Sequence, residues 1–243
     1  MSKYLILVPA RFGSTRFPGK PLAKISGKPM IEYVVNNCQQ SGFDYAVVTD
    51  NDEVEAIVKG FGGNIVRVDD EVSTGSERIA LAYERYFSNS GYEYIINVQG
   101  DEPLLKGEII RQIGQEHGDS SYDIFTGVKK QSSENKDYLN PNIVKCIWSD
   151  QTQQCLYFSR AAIPYVREER EHSWFQHIGI YSYTTQSLQN FVKLKASYYE
   201  EVEKLEQLRA LESGLTIGAK NLNINLVGVD TPEDIEKVER IIK

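Results

Sequence analysis

Three cations, Arg11, Arg16 and Lys20, stand close together near the amino end of the chain, with Gly13 and Gly19 among them. A short apolar run, Tyr4–Val8, precedes them and stops at Pro9. Residues 1–30 contain no Asp or Glu, whereas the whole chain carries a formal charge of −7. That local reversal of sign suits a polyanion such as a nucleoside triphosphate. Glycines let the backbone and its N–H groups approach phosphate. Arginine supplies forked contacts to phosphate oxygens and lysine a point charge. The segment is not a P-loop: Gly13 and Gly19 are one residue too far apart, and Pro21 stands where a Ser or Thr would hold magnesium. The plainer alternative is a solvated basic turn ahead of a helix near Met30.

Two acids carry the complementary chemistry. In Asn97-Val98-Gln99-Gly100-Asp101-Glu102-Pro103, Asp101 follows an apolar strand-like run beside a glycine. A carboxylate at a strand's carboxyl end suits Mg2+, which takes one or two carboxylates plus substrate phosphates. Read alone, the same residues make an ordinary Gly-Asp turn. Asp230, in Gly228-Val229-Asp230-Thr231-Pro232, is by itself a helix-start residue. Converging from two strand ends, the two acids would bind one magnesium ion between them.

Other polar groups are less specific. Ser73-Thr74-Gly75-Ser76-Glu77-Arg78 opens a helix, and its hydroxyls and free N–H groups suit a polar ligand or a simple cap. Arg160 and His177 sit amid apolar strand candidates, where a cation needs an anion, from a substrate or from the protein. Asp50-Asn51-Asp52 has the Asp-x-Asp form of sugar-nucleotide glycosyltransferases, although Asp52 also fits the start of a helix. No Ser-His-Asp order and no zinc spacing is legible.

These residues need elements to hold them. Strands are predicted over Tyr4–Val8, Tyr45–Thr49, Ile65–Val68 and Tyr94–Val98. Helices are predicted over Lys28–Gln40, Asp52–Gly60, Gly75–Phe87 (Ile79, Ala82, Tyr83 and Tyr86 inward) and Lys106–Glu116. That alternation predicts a parallel sheet with helices on both faces. The pattern then turns β-rich: Asp123–Lys129, Ile143–Trp148, Gln154–Phe158 and Gln176–Tyr183 predict an antiparallel extension. Gln131–Pro141 reads as a loop and Arg167–Ser173 as an exposed charged connection. Tyr198–Ser213 predicts one amphipathic helix with Val202, Leu205, Leu208 and Leu211 on a stripe. Strands at Thr216–Ala219 and Asn225–Val229 and a helix over Thr231–Ile242 complete the reading, which is a single domain over residues 1–243 with a β-rich lobe at about residues 130–185.

Bulk properties bound the class. A chain of 243 residues buries a core without disulfides or metals. No apolar run reaches membrane-spanning length, so no membrane partner is expected. The acidic balance argues against nucleic acid. Cys38, Cys146 and Cys155, odd in number and widely spaced, suggest packing roles in a reducing cytoplasm.

Together these segments resemble the bacterial CMP-Kdo synthetases, the 3-deoxy-manno-octulosonate cytidylyltransferases. The stretches that carry the resemblance are Pro9-Ala10-Arg11, Ser14 to Leu22, Gly27 to Ile31, Asn97 to Pro103, Leu156 to Ala161, His177 to Tyr181, Leu205 to Arg209 and Gly228 to Asp234. They run nearly end to end. The resemblance implies a Rossmann-like α/β nucleotidyltransferase fold with a mostly parallel central sheet, and a homodimer. It implies a reaction of CTP with an acidic octulosonic sugar for lipopolysaccharide synthesis. Arg11, Arg16 and Lys20 would hold the triphosphate, with Pro9 and Ala10 beside the cytosine and Thr74, Gly75 and Ser76 completing the CTP site. Asp101 and Asp230 would carry Mg2+. Arg78, Gln99, Arg160, His177, Tyr181 and Gln207 would face the sugar. Catalysis would fall to Asp101, Asp230, Lys20 and Arg11.

Two departures bear on the sugar. Thr74-Gly75-Ser76-Glu77-Arg78 replaces the family's Ser-Gly-Thr-Glu-Arg, and the segment between Pro164 and His177 is short and acidic. An 8-amino form of Kdo would find a counter-charge there and is the alternative sugar. A glycosyltransferase using Asp50-Asn51-Asp52, and a non-catalytic nucleotide-binding module, are the rival functions.

Overall fold

The computed structural model describes residues 2–13, 17–168, 170–224 and 226–242. The chain forms two compact units, Met1–Gly114 with Asn225–Lys243, and Gln115–Ile224. The second unit is larger than the lobe expected at residues 130–185.

The first unit begins with β1 (Tyr4–Pro9), whose residues are buried from Tyr4 to Val8. A hairpin of β2 (Lys24–Ile25) and β3 (Lys28–Pro29) follows, then α1 (Met30–Ser41), β4 (Asp44–Thr49), α2 (Asp52–Gly60), β5 (Ile65–Arg67), α3 (Gly75–Ala82), β6 (Tyr94–Asn97) and α4 (Gly107–Gly118). Lys28 and Pro29 thus belong to the hairpin, and the helix expected from Lys28 starts at Met30. Proline has no N–H to give a helix interior but fits just ahead of the first turn. Met30, Ile31, Val34, Val35 and Cys38 form the buried face of α1.

The strands pair in the order β6-β1-β4-β5, all parallel. The chain moves outward from β1 to β5, then returns to the other side of β1 for β6. The carboxyl ends of β1 and β6 therefore flank a topological switch point, where open α/β sheets bind ligands.

The second unit holds β7 (Ile124–Ser132), β8 (Lys145–Trp148), β9 (Cys155–Ser159), β10 (Ser173–Thr184), α5 (Thr185–Phe191), α6 (Tyr198–Glu203), α7 (Glu206–Glu212) and β11 (Ile217–Asn221). β7, β10, β8 and β9 pair antiparallel in turn, and β11 lies parallel to β7. The chain then returns to the first unit as α8 (Pro232–Ile242).

Four expectations fail for identifiable reasons. The helix over residues 75–87 becomes α3 plus a π turn at Tyr83–Phe87, whose wider spacing turns Tyr86 outward to 50% exposure. The helix over 198–213 breaks at Lys204, which is left-handed at φ 54°, so Val202 is exposed while Leu205 and Leu208 are buried. Within the loop expected over 131–141, β7 extends to Ser132 and Lys136–Leu139 forms a short turn of helix. Residues 226–229 form no strand; instead the Val229 N–H donates to the Asp101 carbonyl at 3.0 Å. The rest of that expected strand, Asn225, lies outside the described residues.

Candidate active site

β1 delivers the basic loop and β6 the acidic one. Past β1, the Ala10 N–H donates to the Val48 carbonyl at 2.9 Å, and the Thr49 hydroxyl donates to the Ala10 carbonyl at 2.8 Å, so the loop leaves the sheet in a fixed direction. Pro9 is enclosed by two glycines: a Cβ on Gly100 would lie 3.1 Å from the Pro9 carbonyl oxygen, and one on Gly75 3.2 Å from its Cγ. Only residues without side chains let the β6 loop and the start of α3 close so tightly on β1. The structure thereby brings Pro9, Ala10, Gly75 and Gly100 together.

Thr74 caps α3 by accepting the Glu77 N–H at 3.2 Å, while the Glu77 carboxylate accepts the N–H groups of Ser73 and Thr74 in return. Arg11 is exposed and reaches this segment, donating through Nη1 to the carbonyls of Ser73 at 3.1 Å and Val72 at 3.4 Å. Arg16 lies outside the described residues.

The centre of the site is an ionic cluster. Lys20 Nζ donates to Asp101 Oδ2 at 2.7 Å and lies 3.3 Å from Asp230 Oδ1. Gly19, left-handed at φ 70°, turns the chain into the short helix that presents Lys20. Asp230 is held ahead of α8 by Asp234, whose Oδ2 accepts the N–H groups of Asp230 and Thr231. Beneath them Val229 packs in a core with Ile25, Met30 and Val238. The two acids converge on Lys20 as expected, although only Asp101 follows a strand, because residues 226–229 form none.

Glu102, which the sequence quoted without a role, joins this cluster. Its Oε2 is buried without a hydrogen-bond partner among the described residues. Burial, aided by the charges of Asp101 and Asp230, pushes its carboxyl up to about 8.

The donor set fits a hard divalent cation. Lys20 already places a positive charge between the two carboxylates, and all the available donors are oxygens. Among the described residues no group of three or more His, Cys, Asp or Glu is arranged around a common metal position. Asp101 and Asp230 would therefore leave most of a cation's coordination to substrate oxygens and water, the habit of Mg2+.

The groups expected to face the sugar have varied settings. In the first unit, Gln99 donates from Nε2 to Asn97 Oδ1 at 3.2 Å. Arg78 is 2% exposed, donates to Asp50 Oδ2 at 2.7 Å and to the Val68 carbonyl, and keeps a buried Nε with no partner among the described residues. Asp50 is thus half of an ion pair, Asn51 caps α2, and Asp52 pairs with Arg67 at 2.6 Å. The Asp-x-Asp pattern is spent on structure.

In the second unit, Arg160 follows β9 and donates to the carbonyls of Glu203 at 2.7 Å, Pro141 at 3.1 Å and Lys204 at 3.4 Å. A bulge between Ile178 and Tyr181 re-aims the β10 side chains. It brings the His177 and Tyr181 rings to 5.3 Å. His177 Nε2 lies 3.1 Å from the Thr126 hydroxyl, and burial pushes its imidazole down to about 3. Burial likewise raises the Tyr181 phenol. Gln207 is buried on α7.

A cytidylyltransferase family model matches residues 5–217. The 3-deoxy-manno-octulosonate cytidylyltransferase of Parabacteroides distasonis is 39% identical over 98% of this chain and 97% of its own. That of Aliivibrio fischeri is 40% identical over 98% of both chains. A solved structure of CMP:2-keto-3-deoxy-manno-octonic acid synthetase complexed with CTP superimposes with a TM-score of 0.91 at 34% identity, covering 99% of this chain and 98% of that one. The overall fold and the sequence similarity along nearly the whole length agree. The chain belongs to the 3-deoxy-manno-octulosonate cytidylyltransferase family.

Proposed function

We propose that the protein joins CTP to 3-deoxy-manno-octulosonic acid (Kdo), giving CMP-Kdo and pyrophosphate for lipopolysaccharide synthesis. The observation that carries this reading is the meeting of Lys20, Asp101 and Asp230 at the carboxyl edge of a parallel sheet. A triphosphate brings the anionic charge that a basic loop accepts, and its reacting phosphorus needs a cation that paired carboxylates hold.

The anomeric hydroxyl of the sugar attacks the α-phosphate in line, and pyrophosphate leaves. Arg11, Arg16 and Lys20 neutralise the triphosphate and the departing pyrophosphate. Pro9 and Ala10 flank the base, and Thr74, Gly75 and Ser76 offer hydroxyl and N–H groups to the nucleotide. Asp101 and Asp230 would hold Mg2+. When bound, that ion supplies charge stabilisation at the phosphate and lowers the pKa of the attacking hydroxyl. Arg78, Gln99, Arg160, His177, Tyr181 and Gln207 position the acid sugar, with Arg78 itself held by Asp50. Little covalent chemistry is asked of the protein beyond positioning and neutralisation.

We further propose that both units work as one domain over residues 1–243, as a homodimer in the cytoplasm, without nucleic-acid or membrane partners. The charge of −7 supports the absence of nucleic acid, and no described helix is long and apolar enough to cross a membrane. Exposed Leu156, Tyr198 and Val202 in the second unit suit a protein partner.

Asp101→Asn tests the metal role. It keeps shape but removes charge, and its kcat should fall at least about a hundredfold with the melting temperature little changed. Retention of more than a tenth of the rate, a loss below about 1.4 kcal/mol, contradicts the role.

A further inference from the structure

The last residue of α6, Glu203, has no place in the site derived so far, yet it controls Arg160 from two sides. Its Oε2 accepts the Arg160 backbone N–H at 2.8 Å, and its Oε1 accepts the Ser159 hydroxyl at 2.6 Å. Its own carbonyl accepts Arg160 Nε–H at 2.7 Å. One residue therefore fixes both the backbone and the guanidinium of Arg160. Buried Lys145 holds the same point from below: Nζ donates to the Arg160 carbonyl at 2.6 Å and to two carbonyls of the 140–143 loop. That loop supplies the Pro141 carbonyl that takes one Nη1–H of Arg160, while the Lys204 carbonyl takes one from Nη2. A guanidinium has five N–H groups. The three bonds to carbonyls leave one N–H on each terminal nitrogen without a partner among the described residues. Such charged N–H groups donate strongly to carboxylate oxygens.

The break in the helix follows the same logic. Were α6 to continue through Lys204, the carbonyls of Glu203 and Lys204 would turn to intrahelical partners instead of Arg160. The left-handed turn at Lys204 frees them. We infer that Glu203 is a positioning residue that aims Arg160 at the carboxylate of the acid sugar, an inference that rests on the proposed reaction.

Steady-state kinetics of Glu203→Gln, with Glu203→Asp as a second variant in case the first does not fold, test it. A positioning role predicts a rise of about tenfold in KM for the sugar, with KM for CTP and kcat little changed. The sugar carboxamide gives a readout that a purely structural role would not move. Wild type and Glu203→Gln should use it with equal kcat/KM, because the carboxylate that Arg160 recognises is gone. Parallel loss toward CTP and sugar, or an unchanged sugar KM, overturns the inference. Arg160→Lys separates the two levels. If it raises the sugar KM while Glu203→Gln does not, only the role of Glu203 fails. If neither variant changes it, the placement of Arg160 at the sugar fails as well.

Discussion

His117 and His177 are imidazoles that the fold keeps neutral. His117 lies between the Ser182 hydroxyl at 2.8 Å and the Tyr122 carbonyl at 2.9 Å, and burial pushes it down to about 4; His177 falls to about 3. Both lie below the ordinary value near 6.5, so between about pH 6.5 and pH 4 the unfolded chain binds protons that the native state refuses. Each histidine then contributes stability that rises with pH across that window, by up to about 1.4 kcal/mol per pH unit, while Glu102, whose carboxyl burial raises to about 8, opposes them. Urea melts from pH 7 to pH 4.5 should show less loss of stability toward low pH in His117→Gln than in wild type; identical slopes would contradict the burial argument. At this scale Lys20 was legible because its sign and glycine neighbour depart from an acidic chain, and Asp101 because it follows a strand beside a glycine, whereas Asp230 by itself reads as a helix-start residue and gains its role from the resemblance. Glu102 and Glu203 were not, because their roles depend on partners brought in by tertiary structure. The Lys20–Asp230 contact spans 210 positions and no local pattern announces it.

Thr74 and Lys204 carry the predictions that belong to elements. Thr74→Ala removes the acceptor of the α3 capping box and should cost about 1 kcal/mol, with Thr74→Ser nearly neutral; equal melting temperatures for wild type and Thr74→Ala would contradict the cap. Lys204 pays for its left-handed backbone at φ 54°. Lys204→Gly should therefore stabilise the protein by roughly 0.5–1 kcal/mol in chemical denaturation, and a loss of stability would show that the Lys204 side chain matters more than its backbone. The parallel half was legible because apolar runs and capped helices alternate at regular intervals. α5 was missed because it is short and follows β10 without a break. The break in the helix over 198–213 was hidden because its apolar spacing continues across Lys204.

For the whole molecule, charge and topology agree. An acidic chain keeps a basic loop at one strand end and sets two acids against it, an arrangement that serves a metal-bearing polyphosphate better than either charge alone. The most direct test is pyrophosphate release with CTP and Mg2+, with Kdo and 8-amino-Kdo supplied side by side. The account predicts release that requires CTP and sugar together, a higher kcat/KM for Kdo, and loss of release in Asp101→Asn. CTP binding without pyrophosphate release from either sugar, or release of a nucleoside diphosphate instead, would contradict it.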